Sequence, residues 1–370
     1  RDLRFLGFFG ALILYALLGS PTADYPGFPE ILIALLLFFS AGLCAASPVT
    51  PLLAFGLVVP VLVGALHGYD HAVMFRDLVG FLFLCLPVFY LGLLNETRRQ
   101  AIFIYFCLLI GIVFSLRTLG VVYGYLPIPG ELLYLANSPL VLFSALFLIG
   151  RGFDVFVDSD TVQKFAQGVL WLLAALVPMA AMLVDVQRAG FAAIAVTVLF
   201  HLTRLVLNHP VRSLVPVAVI FLAVIVGWES IEAVYGAVMT KTTNVGLNMR
   251  LEEARAVIAA LSGGVADVAA GLGGGATFPS PAVGGVTVSF THSLVTYLML
   301  KTGFLGLCLA GIYLLFAGRG VWRRMLVDPA MGAALAWPLV IPILLYASHK
   351  SLDFGLILML ALLPAPRRVV

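Results

Sequence analysis

The chain is 370 residues long, 62% of them hydrophobic and 11% charged, with a mean hydropathy of +1.11. A water-soluble domain with about 25% charged residues is excluded by these proportions, and a polytopic membrane protein is what they describe. The net charge of +3 decides little, because its distribution between two membrane faces matters more than its sum.

Crossing the hydrocarbon takes about 17–25 apolar residues, and shorter runs manage it with tilt or snorkelling ends. On that measure the chain is an all-α, polytopic membrane protein, a single integral membrane domain over 1–370. About twelve transmembrane helices are predicted, centred near Leu12, Leu37, Val58, Leu84, Leu108, Val141, Ala175, Ala195, Ala223, Leu305, Val340 and Ile357. The opening Arg1 to Leu18 has the basic start and apolar run of a signal peptide. It lacks a small-residue cleavage site, and so reads as the first transmembrane helix. The chain opens on Arg1 and not on Met, which leaves room for preceding residues. Cys44, Cys85, Cys107 and Cys308 all fall inside predicted spans without metal-ligand spacing, and read as packing residues.

Basic residues orient the stack, because Lys and Arg in short loops resist translocation. With a cytoplasmic N-terminus, the inner loops receive Arg1, Arg4, Arg98, Arg99, Arg151, Lys164, Arg204, Arg212, Arg319, Arg323, Arg324, Arg367 and Arg368, thirteen of the 21 Lys and Arg residues. The other eight, Arg76, Arg117, Arg188, Lys241, Arg250, Arg255, Lys301 and Lys350, fall at outer helix ends, in outer loops or inside spans. Eight exceptions to the positive-inside tendency imply a purpose other than topology.

Between the ninth and tenth predicted helices lies a polar loop, residues 228–291, far longer than the other connections and therefore expected to carry function. Asn248 can cap a helix near 249–261 with Glu252 and Glu253 in its favourable first turn, and Gly263-Gly264 can end it. The run Gly271-Leu272-Gly273-Gly274-Gly275, followed by Phe278-Pro279-Ser280-Pro281, reads as irregular backbone, flexible or hugging a ligand. The loop ends in Thr291-His292-Ser293. No internal repeat of the transporter kind is visible.

Arg188, at the start of the eighth predicted span, is either an interfacial anchor paired with Asp185 or a diphosphate ligand, since a guanidinium offers a fork of donors matched to phosphate oxygens. Arg250 and Arg255 lie about 140° apart on the loop helix. Arg250 gains from the helix N-terminus, which suits an anion, whereas Arg255 is equally at home in a salt bridge with Glu252 or Glu253. His292 is either a helix cap or a base for a hydroxyl nucleophile. Arg117 and Lys301 are candidates for further phosphate contacts. Lys301 sits about 13 Å into the tenth span from His292, a depth at which a charge must face the bundle or a wet cavity. Arg76-Asp77, near His67 and His71, and His349-Lys350, with Asp353, occupy other outer turns, where internal pairing and substrate contact both remain open.

The order of these features, an Arg at a helix mouth, a large loop opening on Asn-Met-Arg-Leu, a Gly-rich patch, then Thr-His-Ser-Leu leading to Lys-Thr-Gly-Phe-Leu-Gly-Leu, resembles the O-antigen ligase and O-antigen polymerase superfamily. The resemblance covers roughly Asp185 to Phe316. The ligases' closing motif, His followed after ten residues by Gly, is present as His292 and Gly303, whereas Ala192 stands where Leu follows the first Arg and Ala254 where the loop helix often carries Trp. What the resemblance implies is a metal-independent, cofactor-free glycosyltransferase in the bacterial inner membrane. Its donor would be a glycan on undecaprenyl diphosphate and its acceptor a sugar hydroxyl of lipid A core or of a second carrier-linked glycan, at the periplasmic face. Arg188, Arg250 and His292 would carry the chemistry, with Arg255, Arg117 and Lys301 on the diphosphate. Membrane lipids are expected neighbours and nucleic acid is not. A lipid-linked-oligosaccharide flippase or other transporter is the alternative, in which the same arginines line a path. A third reading, a peptidoglycan polymerase of the shape, elongation and division type, would use Asp267.

Overall fold

The computed structural model describes residues 2–20, 28–43, 47–126, 130–157, 161–211, 213–214, 217–218, 232, 235–236, 239–240 and 249–364. Over these the protein is all-α apart from one short hairpin. The helices are α1 (Asp2–Leu18), α2 (Phe28–Ser40), α3 (Thr50–Leu66), α4 (His71–Leu84), α5 (Leu86–Tyr90), α6 (Thr97–Val122), α7 (Pro139–Val157), α8 (Val162–Val184), α9 (Arg188–Asn208), α10 (Arg250–Ala260), α11 (Val265–Ala270), α12 (Leu294–Val327), α13 (Pro329–Leu344) and α14 (Leu352–Leu362). The expected cap Asn248 and the predicted span near Ala223 lie outside the described residues.

The expectation of about twelve spans is corrected. Among the described residues five helices, α6, α7, α8, α9 and α12, are long and apolar enough to cross a membrane, and six if α4 and α5, bent by 60° at their junction, count as one broken span. The physical reason is length. Helices α2 and α14 have 13 and 11 residues, and α1, α3 and α13 have 17, 17 and 16. At 1.5 Å per residue these reach about 16–26 Å against a hydrocarbon core of about 30 Å. Hydropathy alone does not separate a short buried helix from a spanning one. The α4–α5 bend follows from Pro87 in the first turn of α5, where the missing N–H and the ring end the preceding helix at Cys85.

The chain forms two compact units. The first comprises Arg1–Phe106, Leu247–Val321 and Pro338–Ala365. Its centre is α14, whose residues Leu352 to Ala361 are all buried and which packs on α4 and α5. The loop segment brings a small core of its own, in which Val257 and Leu261 of the α10 region, Ala276, Phe278 and Leu300 of α12 pack together. Part of the run expected to be irregular is a β-hairpin, β1 (Phe278–Ser280) against β2 (Val286–Val288), antiparallel with Phe278 opposite Val288 and Ser280 opposite Val286.

The second unit comprises Cys107–Gly246, Trp322–Trp337 and Pro366–Val370. Helix α7 is its core, packed against α8 and α9. Of its apolar window 83% is buried, against 28% for α8 and 33% for α9, so the latter two present their apolar faces outward, as lipid-facing helices do.

Candidate functional site

The first unit holds a site built around His292, which stands at the end of the loop, just ahead of α12. Helix α10 carries Glu253 and Val257, and Leu261 opens the 3-10 turn that follows it, at four-residue spacing on one buried stripe, so an acid is folded into an apolar face beside two core residues. Glu253, 1% exposed, is satisfied there by three donors. The backbone N–H of His292 donates to its Oε2 at 3.0 Å, His292 Nδ1 donates to Oε1 at 2.9 Å, and Ser280 Oγ donates to Oε1 at 3.0 Å. Burial works against the Glu253 charge, but the His292 and Ser280 hydrogen bonds outweigh it and hold the carboxyl below its ordinary range. Because a carboxylate only accepts, the His292 proton resides on Nδ1, which leaves the Nε2 lone pair available in the neutral ring. The His292 side chain is 21% exposed where that of Glu253 is 2%, so a buried acid orients a histidine that solvent can reach.

A second polar group lies in the same unit. Asp77 of α4, 5% exposed, pairs with Lys301 of α12 at 2.5 Å and, more loosely, with Lys350 at 3.7 Å. The Tyr297 hydroxyl donates to the Asp77 carbonyl at 3.1 Å, and the Lys350 ammonium sits 4.4 Å from the centre of the Tyr297 ring. Burial pushes Lys350 down to about 8; Asp77 opposes this, while Lys301 and Arg76 add to it. His349 is buried, 5.2 Å ring to ring from Tyr297. Burial lowers it to about 3, with the Lys350 charge nearby adding to the effect, so it is a neutral ring at physiological pH. A cleft beside this group is lined by Pro60, Met74, Phe81, Tyr297 and Thr302, with Asp77 and Lys301 on its polar side.

Seven of the residues singled out in the sequence thus belong to one unit: Arg76, Arg250, Arg255, His292, Lys301, His349 and Lys350. Arg76 and Arg255 are exposed and Arg250 is half-buried. Arg117 and Arg188 belong to the second unit. Arg117 lies over the Phe114 ring at 5.5 Å, and Arg188 is the first residue of α9. Asp185 accepts from the Asn137 amide at 2.6 Å. Asp70 caps α4 by accepting from the Ala72 N–H, and His67 bonds back to the Val63 carbonyl.

Backbone strain marks both leading arginines. Among the described residues only two other than glycine have positive φ, Val186 at 49° and Met249 at 51°. They stand two residues before Arg188 and one before Arg250. A β-branched or long side chain in the left-handed region costs of order 1–3 kcal/mol and persists where the surrounding structure demands it, which is often at functional sites. Comparison with known protein families, curated proteins and solved structures gives no match for this chain. Among the described residues, no three His, Cys, Asp or Glu side chains are grouped to hold a metal ion.

Glu253, expected as a favourable charge in the first turn and a salt-bridge partner for Arg255, is instead the buried partner of His292 in the candidate site. The information was present: in Arg250-Leu251-Glu252-Glu253-Ala254-Arg255-Ala256-Val257, the second acid lies four residues before Val257 and eight before Leu261, on the apolar stripe and not on the polar one.

Proposed function

We propose that the protein is a membrane glycosyltransferase that moves a glycan from undecaprenyl diphosphate to a sugar hydroxyl, with His292 as general base and Glu253 as its orienting acid. The observation that carries this reading is the Glu253–His292 pair, a buried carboxylate on Nδ1 with Nε2 left for substrate. The same division of labour, acid orienting histidine and histidine taking the hydroxyl proton, serves acyl-transfer triads.

In the proposed step the acceptor hydroxyl gives its proton to His292 Nε2 while its oxygen bonds the anomeric carbon. The bond from that carbon to the diphosphate oxygen breaks, and undecaprenyl diphosphate departs with the electron pair. Diphosphate leaves readily once its charge is matched, so cationic side chains supply much of the stabilisation. Arg250, at the head of α10 with the helix dipole behind it, is the best-supported ligand in the His292 unit. Arg188, Arg117 and Arg255 are retained on the sequence, and Arg188 also on the strained Val186 before it. The active site is proposed to face the periplasm, and the acceptor to be lipid A core or a second carrier-linked glycan, as ligase or polymerase respectively.

The test is single-turnover transfer by the purified protein in lipid nanodiscs, with undecaprenyl-diphosphate glycan and both acceptor types. Parent protein should transfer to one of them. His292→Gln should lose about 10²–10⁴-fold in rate with donor affinity nearly intact. A parental rate and pH profile in His292→Gln would make His292 a helix start and nothing more.

A further inference from the structure

Lys301 is 2% exposed and lies in α12, two to three turns beyond His292. Its Nζ pairs with Asp77 Oδ2 at 2.5 Å and donates to the Ala276 carbonyl at 2.6 Å. The same Asp77 oxygen accepts the Gly275 N–H at 2.9 Å. The ion pair therefore fastens three pieces of chain: α4, α12 and the glycine-rich segment. Two further bonds pin that segment, Leu272 N–H to the Leu300 carbonyl at 2.9 Å and Gly274 N–H to the Pro60 carbonyl at 2.8 Å.

Glycine is required for this seating. Helix α12 breaks at Gly303, with φ 62° and ψ −165°, three residues past the Leu300 carbonyl that accepts the Leu272 N–H. Gly303 lies against Gly271, φ 77°, and a Cβ on either would strike the backbone of the other. The glycine run hugs the protein's own backbone. From Ala276 the chain enters β1, whose Ser280 hydroxyl reaches the Glu253 oxygen that faces His292 Nδ1. An unbroken series of contacts runs from Asp77 and Lys301, through Gly275, Ala276 and Ser280, to Glu253 and His292.

We infer that Asp77 and Lys301 are a positioning pair that seats the glycine-rich segment, and through it the Glu253–His292 dyad, and that Lys301 does not bind the substrate phosphate. Two of the three ammonium donors are already committed inside the protein. Removing Asp77 leaves the Lys301 charge buried without its acid, and removing Lys301 leaves Asp77 only the looser Lys350 contact at 3.7 Å; removing both strands neither member of the pair, so the pair serves fixity of arrangement more than net stability. The consequence for activity rests on the proposed transfer reaction; the seating of the segment does not.

The experiment is hydrogen–deuterium exchange by mass spectrometry on the full chain in nanodiscs, for parent, Lys301→Met, Asp77→Asn and the double variant. Amides of 271–276 should exchange at least about tenfold faster in all three variants, while α7 keeps its protection. The double variant, in which neither Asp77 nor Lys301 is left as a lone buried charge and Lys350 keeps a partly exposed side chain, guards against misfolding of the singles and should still loosen the segment, since the bond to Ala276 is gone. Exchange in the double variant equal to that of the parent would overturn the proposal. In the transfer assay the singles should lose about 10²-fold in kcat with donor KM unchanged, as expected of a misplaced base. A raised KM at constant kcat would instead make Lys301 a ligand and overturn the inference. A parent inactive on every donor would remove the transfer reading and leave exchange to decide the pairing.

Discussion

Each unit contains a buried histidine neighbourhood and a network of ion pairs, and the two differ in what they leave over. In the second unit Arg151 pairs with Asp328 at 2.6 Å and Arg204 with Asp154 at 2.7 Å, with Arg151 also 3.6 Å from Asp154. Each of these side chains is a fifth to a third exposed. Two arginines meet two aspartates at helix ends. His201 beside them is 2% exposed, stacked on Phe153 at 5.8 Å, with neither ring nitrogen hydrogen-bonded. In the first unit the acid is the buried partner and the histidine the accessible one, and one ring nitrogen remains for chemistry. The lesson is that neither a histidine nor an ion pair marks a site. An orienting bond on one nitrogen together with access to the other does.

The sharpest way to break that contrast is at Glu253. Glu253→Gln keeps the shape and loses the charge that fixes the His292 tautomer, and should lower transfer about 10²–10⁴-fold. Combined with His292→Gln it should cost little more than either change alone, because groups acting as a unit are not additive. His201→Phe should leave the turnover of correctly folded protein unchanged. Equal losses at His201 and His292 would erase the distinction between the two neighbourhoods.

Next come the arginines at the strained turns. Arg250→Ala and Arg188→Ala should each remove a charge-assisted contact worth about 1.5–3 kcal/mol, read as a tenfold to hundredfold loss in kcat/KM. Lysine should rescue only partly, because it keeps the charge without the fork. Full activity of either Ala variant, at matched expression, would make that arginine an anchor and the strain before it unrelated to substrate.

What the sequence made legible was chemistry that is local in the chain. His292 and Gly303 could be picked out by spacing, and Lys301 by its depth in an apolar helix, which requires a polar partner. The partner, Asp77, lies 224 positions away and carries no local sign of the contact. The glycine run was readable as a close backbone approach, but whether to ligand or to protein depended on Gly303 and Gly64, distant residues whose missing Cβ atoms make the room. The span count erred where apolar runs of 11–17 residues were equally consistent with core helices and with crossings.

Acid offers a smaller, separable effect. His349 is held neutral by burial, about 3 in the folded protein against an ordinary 6.5, so between those values the unfolded chain binds a proton that the folded one does not. Stability must therefore decline as pH falls from 6.5 toward 3. Glu253 has a depressed folded pKa, so its contribution is present above the ordinary Glu value of about 4.3 and is lost as pH falls through the folded one. Thermal unfolding in nanodiscs should thus weaken in two stages. His349→Phe should flatten the upper stage and leave the lower. A single stage unaffected by that change would reassign the acid sensitivity to other groups.

The least costly change should be in the second unit's ion pairs, and that small size is itself informative. Arg204 and Asp154 are 32% and 21% exposed in their side chains, so water solvates both and screens their attraction. Exposed pairs contribute about 0–1 kcal/mol, far below the 3–5 kcal/mol typical of breaking a buried pair. Arg204→Ala should lower the unfolding temperature slightly, by less at high salt, and leave the exchange of residues 271–276 unchanged. Asp154→Asn should cost somewhat more, because it also removes the looser Arg151 contact at 3.6 Å. A loss as large as that of Lys301→Met, insensitive to salt, would mean that this network is as desolvated in the membrane as the Asp77–Lys301 pair. The contrast between an anchoring cluster and a positioning one would then have to rest on the free nitrogen of His292 alone.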